Sequence, residues 1–361
     1  MESIADTPVS TLGDAPVVPA TSSPRGLWSS VGLDETEHLM HQLVVGDRLD
    51  RLGMLLGEHL GTGGKRLRAR LALGAAEALG VSRLLAVPWA AACELLHNAT
   101  LLHDDVQDGD RLRRGREAAW VKHGVAHAIT AGDLALMLPW RSIEALDAAD
   151  DVRWQLGSVL ARQACRVARG QADEGDLLPR RRLSWSDYEH VVMGKTSALF
   201  VLPVLGAARL AGLDAEEGLA LAAEFETLGV LYQVQDDVLD LYGDKGRDLV
   251  GSDVAEGKVS ALVVEHLRRC PADAGWLLDV LERPRTETQP EEVQRVIDTF
   301  RSSGTLDAVW ERMYDIEESI VGSERLSRYP RLHALAVELV ALAVAPIAHT
   351  APLSSFPARP A

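Results

Sequence analysis

The feature that constrains this fold most is a helical periodicity that runs almost the length of the chain. From about residue 31 to 349, apolar residues recur at i, i+3 and i+4, Ala and Leu dominate, and alternating β-branched runs are scarce. That spacing lays an apolar stripe along each helix and leaves no segment with the period of two that a strand needs. Leu39, Leu43, Leu49, Leu52 and Leu56 trace one such stripe. Glycines and prolines cut the run into roughly ten or more helices. Pro88 suits the first turn of a helix running through Leu102, because the first turn does not use the amide that proline lacks. No Pro- or Ser-rich linker divides the 361 residues. One all-α domain over residues 31–349 is therefore expected, against the two domains that length alone suggests. Residues 1–30, rich in Pro, Ser, Thr and Ala, are expected to form a disordered N-terminal arm. Residues 350–361, with three prolines, are expected to form a flexible C-terminal tail.

Lys and Arg number 37 against 53 Asp and Glu, a net charge of −16. A general nucleic-acid binder would carry the opposite balance and is excluded. Cys93, Cys165 and Cys270 are odd in number and far apart, and they read as reduced core residues of a cytoplasmic protein. The eight tryptophans read as mostly core too. No uninterrupted apolar run reaches about 18 residues, so no integral membrane segment is expected. Glu2 and Asp6 stand where a secretory leader would be basic and then apolar, so no leader is expected.

One acidic pattern occurs twice, as Asp104-Asp105-Val106-Gln107-Asp108 and as Asp236-Asp237-Val238-Leu239-Asp240. Each closes an apolar helical segment. On a helix Asp104 stacks with Asp108, and Asp236 with Asp240, while Asp105 and Asp237 lie about 100° round from their neighbours. Two carboxylates at roughly 4 Å in an effective dielectric near 20 repel by about 4 kcal/mol, and a helix C-terminus disfavours anions further. Such clusters beside apolar runs call for a cation. Oxygen donors without a nearby His/Cys cluster favour Mg²⁺, which bridges readily to phosphates.

A site that holds a diphosphate through Mg²⁺ also wants cationic side chains. Gly63-Gly64-Lys65-Arg66-Leu67-Arg68 combines an approachable backbone with Lys65 and Arg68 on one face. Arg113-Arg114-Gly115 follows the first acidic cluster, Gly194-Lys195-Thr196 stands apart, and Lys245, Arg247 and Lys258 follow the second cluster. Neither Gly-Lys site is a P-loop, because the required earlier glycine is replaced by His59 in one and Glu189 in the other.

With these residues the chain resembles the trans-prenyltransferases, the isoprenyl diphosphate synthases, over about residues 35 to 345. The stretches that carry the resemblance are GGKRLR (63–68), ELLHNATLLHDDVQDGDRLRRG (94–115), GKTSALF (194–200) and YQVQDDVLDLYGDKGRDLVGSDVAEGK (232–258). The resemblance implies a single-domain isoprenoid synthase fold, with helices around a deep central cavity, usually as a homodimer. It implies head-to-tail condensation of isopentenyl diphosphate with an allylic diphosphate. By resemblance, Asp104, Asp105, Asp108, Asp236, Asp237 and Asp240 hold about three Mg²⁺ ions on the allylic diphosphate. Arg113, Lys195 and Lys258 contact that diphosphate, and Lys65, Arg68, His97 and Arg114 bind isopentenyl diphosphate. Thr196 and Gln233 match positions whose oxygens stabilise the carbocation, and the released diphosphate takes the proton. Two departures stand out. Lys245 and Arg247 precede Gly251-Ser252-Asp253 with shifted spacing, and the C-terminal tail carries only Arg359 where the family has a basic end.

The growing chain is expected to run down the helix that ends at Asp104. One turn below lie the small residues Ala99 and Thr100, then Leu96, and deeper still Cys93, Ala92 and Trp89. A turn is about 5.4 Å, close to one isoprene unit. Short-chain relatives place aromatic residues at this level, so a product of geranylgeranyl length or longer is expected. The alternatives are a class I terpene cyclase on the same fold, a shorter-chain farnesyl diphosphate synthase and a non-catalytic partner subunit. Keeping Lys65, Arg68, His97 and Arg114 speaks against the cyclase, and keeping all six aspartates speaks against the partner subunit.

Overall fold

The computed structural model describes residues 31–46, 50–181, 183–243 and 250–352. The expectations for the N-terminal arm, Leu49, Lys245, Arg247 and residues 353–361 lie outside the described residues. Among the described residues the chain forms α1 (Leu33–Val45), α2 (Arg51–Leu60), α3 (Leu67–Ala78) and α4 (Arg83–Gln107). A hairpin of β1 (Leu112–Arg113) and β2 (Arg116–Glu117) follows, then α5 (Ala119–His123), α6 (Val125–Glu144), α7 (Asp150–Leu177) and α8 (Trp185–Val192). A π-helical turn, Met193–Ser197, leads into α9 (Ala198–Leu210) and α10 (Ala215–Tyr242). The remainder is α11 (Ser252–Ala255), α12 (Ala261–Arg269), α13 (Ala274–Leu281), α14 (Pro290–Ser302), α15 (Thr305–Val321), α16 (Glu324–Ser327) and α17 (Pro330–Val344), with 3₁₀ turns at Pro271–Asp273 and Ala345–Thr350.

Side-chain caps set several of these starts. Asp50, Ser184, Asp214 and Ser260 each accept from a backbone N–H three residues on, satisfying a donor that has no partner within the helix. The long helix α4 packs on α3, α6 and α9, and α9 packs in turn on α10 and α7. The main core runs through Trp89, Phe200, Phe225, Leu231, Phe300 and Trp310. A smaller apolar cluster of Met40, Leu55, Leu95, Ala99, Leu102, Ala131 and Ala135 lies on the other side of α4. Because both clusters use α4, the middle of that helix is buried all round at Ala90, Ala91, Ala92 and Cys93.

Several expectations need correction. The stripe from Leu39 to Leu56 is broken by the join between α1 and α2, and α1 instead buries Leu33, Thr36, Met40 and Val44. Pro88 lies inside α4, whose first residue is Arg83. The carbonyl it deprives of a partner is that of Leu84, which is exposed to water. Arg114 and Gly115 have φ of 54° and 73°, so a two-residue turn folds 112–117 into a short hairpin within an otherwise helical chain. Cys165 is exposed, and Trp140 and Trp154 are exposed on α6 and α7. Thr350 is held in the last 3₁₀ turn, where its Oγ1 accepts from Trp310 Nε1 at 3.0 Å. Two helical stretches, Trp185–Leu210 and Pro330–Thr350, are long and apolar enough to cross a membrane by length and composition, although neither is an uninterrupted apolar run. The most apolar window of the first is 83% buried inside the molecule and that of the second 39%.

Candidate active site

A cavity of about 530 Å³ opens between α3, α4, the hairpin, α7, α8, α9, α10 and the segment 253–260. The π-helical turn projects Lys195 and Thr196 into it, and two glycine contacts hold that turn. A Cβ on Gly170 of α7 would stand 2.7 Å from the carbonyl carbon of Gly194 and closer still to the amide of Lys195. A Cβ on Gly229 of α10 would stand 2.5 Å from the Cα of Ser197. Helix period then delivers the partners. Four residues past Gly170, Glu174 accepts from Lys195 Nζ at 2.7 Å. Four past Gly229, Gln233 Oε1 accepts from Thr196 Oγ1 at 2.7 Å, and its Nε2 donates to Asp237 Oδ1 at 2.9 Å. Burial pulls the Lys195 ammonium down, yet Glu174 and Asp104 hold it above its ordinary value.

Asp104, Asp108, Asp236 and Asp237 line the cavity from α4 and α10. Burial pushes Asp104 up to about 6, with Lys195 opposing and Asp108 reinforcing. Asp237 is pushed up to about 7 by burial and the nearby Asp253, although Tyr188 Oη at 2.8 Å and the Ala261 amide at 2.7 Å donate to its Oδ2. Lys258 Nζ lies 2.9 Å from Asp108 and 2.7 Å from Glu256. Burial lowers this ammonium, but Asp253, Asp108 and Glu256 hold it well above its ordinary value. Lys258 thereby ties the end of the first acidic motif to the loop that follows the second.

Asp105 and Asp240 do not line the cavity. Asp105 is turned into the wall, where Arg113 donates through Nε at 2.7 Å and through a second guanidinium nitrogen. Asp240 accepts from Ser252 Oγ at 2.9 Å and from the Asp253 amide at 3.1 Å, which fixes the start of α11. Both aspartates shape the site from behind.

Lys65, Arg68, His97, Arg113 and Arg114 gather on the other side of the cavity. Arg68 is buried, with its guanidinium carbon 5.1 Å from the Phe200 ring centre and 5.8 Å from that of Tyr232. Its Nε finds no acceptor, and neither does His97 Nδ1 find a partner. Burial, then Arg68 and Arg114, push the His97 imidazole well below its ordinary value. Nearby His59 is held at about 3 by burial and by Arg114, Arg113 and Arg66, so this corner is strongly electropositive. The left-handed turn at Arg114 aims its guanidinium at the Gly63 carbonyl, with Thr62 Oγ1 at 3.3 Å. Gly64 permits this approach, since a Cβ there would stand 2.5 Å from the Arg114 guanidinium carbon. Lys65 is exposed at the rim.

Of the three product-length positions, Thr100 alone lines the cavity. Ala99 faces away into the cluster with Met40 and Leu55, and Leu96 is enclosed in the main core. Trp89 is sealed in that core, where its Nε1 donates to the Pro203 carbonyl at 3.0 Å. The aliphatic wall is made by Leu101, Val167, Leu177, Val191, Val192 and Leu199.

The sequence profile of the polyprenyl synthetase family matches residues 51–300. The chain belongs to the polyprenyl synthetase family. A geranylgeranyl diphosphate synthase of Methanosarcina mazei is 33% identical over 250 residues, covering 68% of this chain and 75% of that one. A crystal structure of a geranylgeranyl pyrophosphate synthase superposes with a TM-score of 0.78 at 27% identity, covering 86% of this chain and 98% of that one. A Caulobacter crescentus polyprenyl synthase, solved with calcium and isoprenyl diphosphate, gives a TM-score of 0.78 at 28% identity, covering 87% and 94%. The isoprenoid synthase fold expected from the motifs is thus present, and this polyprenyl synthetase is a trans-prenyltransferase.

Sequence reasoning passed over Glu94, Glu174, Tyr188, Tyr232 and Asp253, which also line the cavity. Tyr188 carries a readable signal, since it stands seven and eight residues before Lys195 and Thr196 and so shares their side of the helical segment. Glu174 carries none, because its partner lies 21 residues away on another element.

Proposed function

We propose that this polyprenyl synthetase joins isopentenyl diphosphate head-to-tail to an allylic diphosphate and releases an all-trans product of twenty carbons or more. The observation that carries the reading is the division of the cavity into two charge regions. One gathers carboxylates from both acidic motifs. The other holds a buried guanidinium and an imidazole whose polar atoms lack partners, an environment that favours an anion.

The donor set fits Mg²⁺. It consists of oxygens only, and burial raises Asp104 and Asp237 even though Lys195 stands beside Asp104, so a bound cation would favour their charged forms. Asp104, Asp108 and Asp236 would hold the ions, with Asp237 braced behind them by Tyr188 and Ala261; the resemblance sets their number at about three. When bound, the metal supplies a Lewis acid for the departing diphosphate. Lys195 and Lys258 add positive charge at the same place, so the allylic C–O bond breaks with its electron pair leaving on the diphosphate. Thr196 donates its hydroxyl hydrogen bond to Gln233 Oε1, which leaves the hydroxyl oxygen's lone pairs to face the allylic cation. Arg68, His97, Lys65 and Arg114 orient isopentenyl diphosphate so that its double bond attacks that cation. Loss of a proton to the released diphosphate completes the product. The aliphatic wall keeps water from the cation.

The reading of chain length rests on Thr100, a small side chain one turn below Asp104, and on the lining residues, whose only aromatics among those described are Tyr188 and Tyr232. The proposed partner is a second copy of this chain. Val125, Ile129, Met137 and Trp140 are exposed and share an arc of about 120° on α6, opposite the buried Ala128, Ala131, Ala135 and Leu138. A cytoplasmic location suits the three free cysteines.

The test is to incubate pure protein with Mg²⁺, isopentenyl diphosphate and each allylic diphosphate in turn, and to measure product length. Prenyl diphosphates of twenty or more carbons are expected. Hydrocarbon formed from an allylic diphosphate alone would identify a cyclase, and no turnover of any substrate pair would identify a non-catalytic subunit.

A further inference from the structure

Outside the cavity, the end of α12 brings together three different metal-ligating groups. An imidazole nitrogen of His266, the sulfur of Cys270 and a carboxylate oxygen of Asp273 lie within 4.8 Å of one another. His266 and Cys270 are spaced i, i+4 on one helical face, and the 3₁₀ turn Pro271–Asp273 folds the carboxylate back onto the ring. The ring itself is fully buried and packs 5.0 Å from the Phe300 ring. Cys270 and Asp273 are partly exposed, which leaves an entry path from solvent.

The hydrogen bonds around the ring leave one nitrogen facing the carboxylate. Nδ1 lies 3.0 Å from Thr305 Oγ1, Thr305 Oγ1 lies 2.8 Å from Ser303 Oγ, and Ser303 Oγ donates to the Phe300 carbonyl at 3.4 Å. The chain ends on a carbonyl, which can only accept. Ser303 Oγ also lies 3.4 Å from Nδ1, and either hydroxyl of the 2.8 Å pair can be the donor, so both tautomers of the ring are satisfied. In the Nδ1–H tautomer the Nε2 lone pair faces Asp273 Oδ2 at 3.0 Å and is free to ligate a cation, whereas the other tautomer donates Nε2–H to that carboxylate.

We propose that His266, Cys270 and Asp273 bind one transition-metal ion of the zinc class, with water as the fourth ligand. A mixed nitrogen, sulfur and oxygen set selects such an ion over Mg²⁺. Tetrahedral coordination needs ligand atoms roughly 3.3–3.7 Å apart, so closure by about 1 Å completes the site. Cys270 can move that far because it stands past the last turn of α12. The Thr305–Ser303 pair is the outer support that fixes the imidazole. All three ligands come from the end of α12 and the turn after it, and the ring's contact with Thr305 links them to the corner between α14 and α15, away from the prenyl-transfer chemistry.

The experiment is a Co²⁺ titration of the full chain purified free of transition metals. The expected result is a thiolate-to-cobalt charge-transfer band that saturates at one equivalent per chain and disappears in Cys270→Ser. Asp273→Asn should weaken cobalt binding at least tenfold while leaving the band's position unchanged. The aspartates of the cavity contain no sulfur and cannot produce this band. Cys270→Ser should retain full Mg²⁺-supported prenyl transfer, which shows that it folds. Absence of the band in the parent protein would overturn the proposal, because His266 and Asp273 would then share an ordinary hydrogen bond. Persistence of the band in Cys270→Ser would overturn it too, by assigning the thiolate to Cys93 or Cys165.

Discussion

Gly170→Ala should cripple turnover without unfolding the protein. Ordinary contact for a Cβ begins near 3.4 Å, and the one built on Gly170 stands 2.7 Å from the carbonyl carbon of Gly194. The backbones of α7 and the π-helical turn must therefore part by at least about 0.7 Å. Overpacking of this kind costs about 1–3 kcal/mol, offset in part by the roughly 1 kcal/mol by which alanine favours a helix over glycine. The net loss of stability is about 0–2 kcal/mol, which a domain of this size survives. The turn that moves carries Lys195 and Thr196, and displacement of a positioning group by about 1 Å costs on the order of a hundredfold in rate. The assay is steady-state condensation with saturating isopentenyl and allylic diphosphates, alongside a thermal melt. The matched control is Gly175→Ala on the same helix, where a Cβ meets nothing within 4 Å. That variant should keep full activity and gain up to about 1 kcal/mol. A Gly170→Ala enzyme with parental kcat would refute the idea that the glycine contact positions the turn.

Four further outcomes follow from the same geometry. Thr100→Phe should shorten the product by at least one isoprene unit, as seen by chromatography of the dephosphorylated alcohols. Ala99→Phe should instead destabilise the protein by about 1–3 kcal/mol in a thermal melt and leave product length alone, since Ala99 packs away from the cavity. Arg68→Lys should raise KM for isopentenyl diphosphate at least tenfold, because lysine keeps the charge but loses the planar fork that lies against Phe200 and Tyr232; an unchanged KM removes Arg68 from that site. Asp104 and Asp237, raised to about 6 and about 7 in the folded protein, bind protons more tightly there than in the unfolded chain. Their stabilising effect is complete below about pH 4 and is lost as pH rises through about 6 to 7. Metal-free protein should accordingly melt lower at about pH 8 than at about pH 5, and Mg²⁺ with inorganic diphosphate should close the gap; a flat profile would contradict the burial of these carboxylates.

What could be read from the sequence depended on whether a residue's role is set within its own helix. The two acidic motifs, their place at the end of apolar segments and the flanking basic residues are local facts, and helix period alone brings Asp104 to the same face as Asp108. Local period also said that Asp240 would share a face with Asp236. It could not say that the wall of the cavity ends between them, because that boundary is made by Ser252 and the Asp253 amide from a different segment. Asp105 was lost to the cavity for the same reason, through an arginine on a hairpin whose turn depends on two residues at positive φ. Pairings such as Lys195 with Glu174 exist only once α7 has docked.

The product-length positions depend on a fainter pattern. A helix with one apolar face announces its orientation through its pattern, whereas α4 buries residues on every side, from Trp89 and Ala92 toward one cluster to Ala91, Leu95 and Ala99 toward the other. Yet Glu94, His97, Thr100, Asp104 and Asp108 recur at i, i+3 and i+4, a polar stripe about 120° wide, and all five line the cavity. Ala99 and Thr100 are adjacent and both small, and about 100° of helical rotation puts one in a dry cluster and the other on the cavity wall. Thr100 belongs to the polar stripe, whereas Ala99 lies about 100° or more from each of its members, on the side that α6 covers. The stripe thus shows the orientation of α4 in its own residues, and Thr100→Phe set against Ala99→Phe measures that orientation directly.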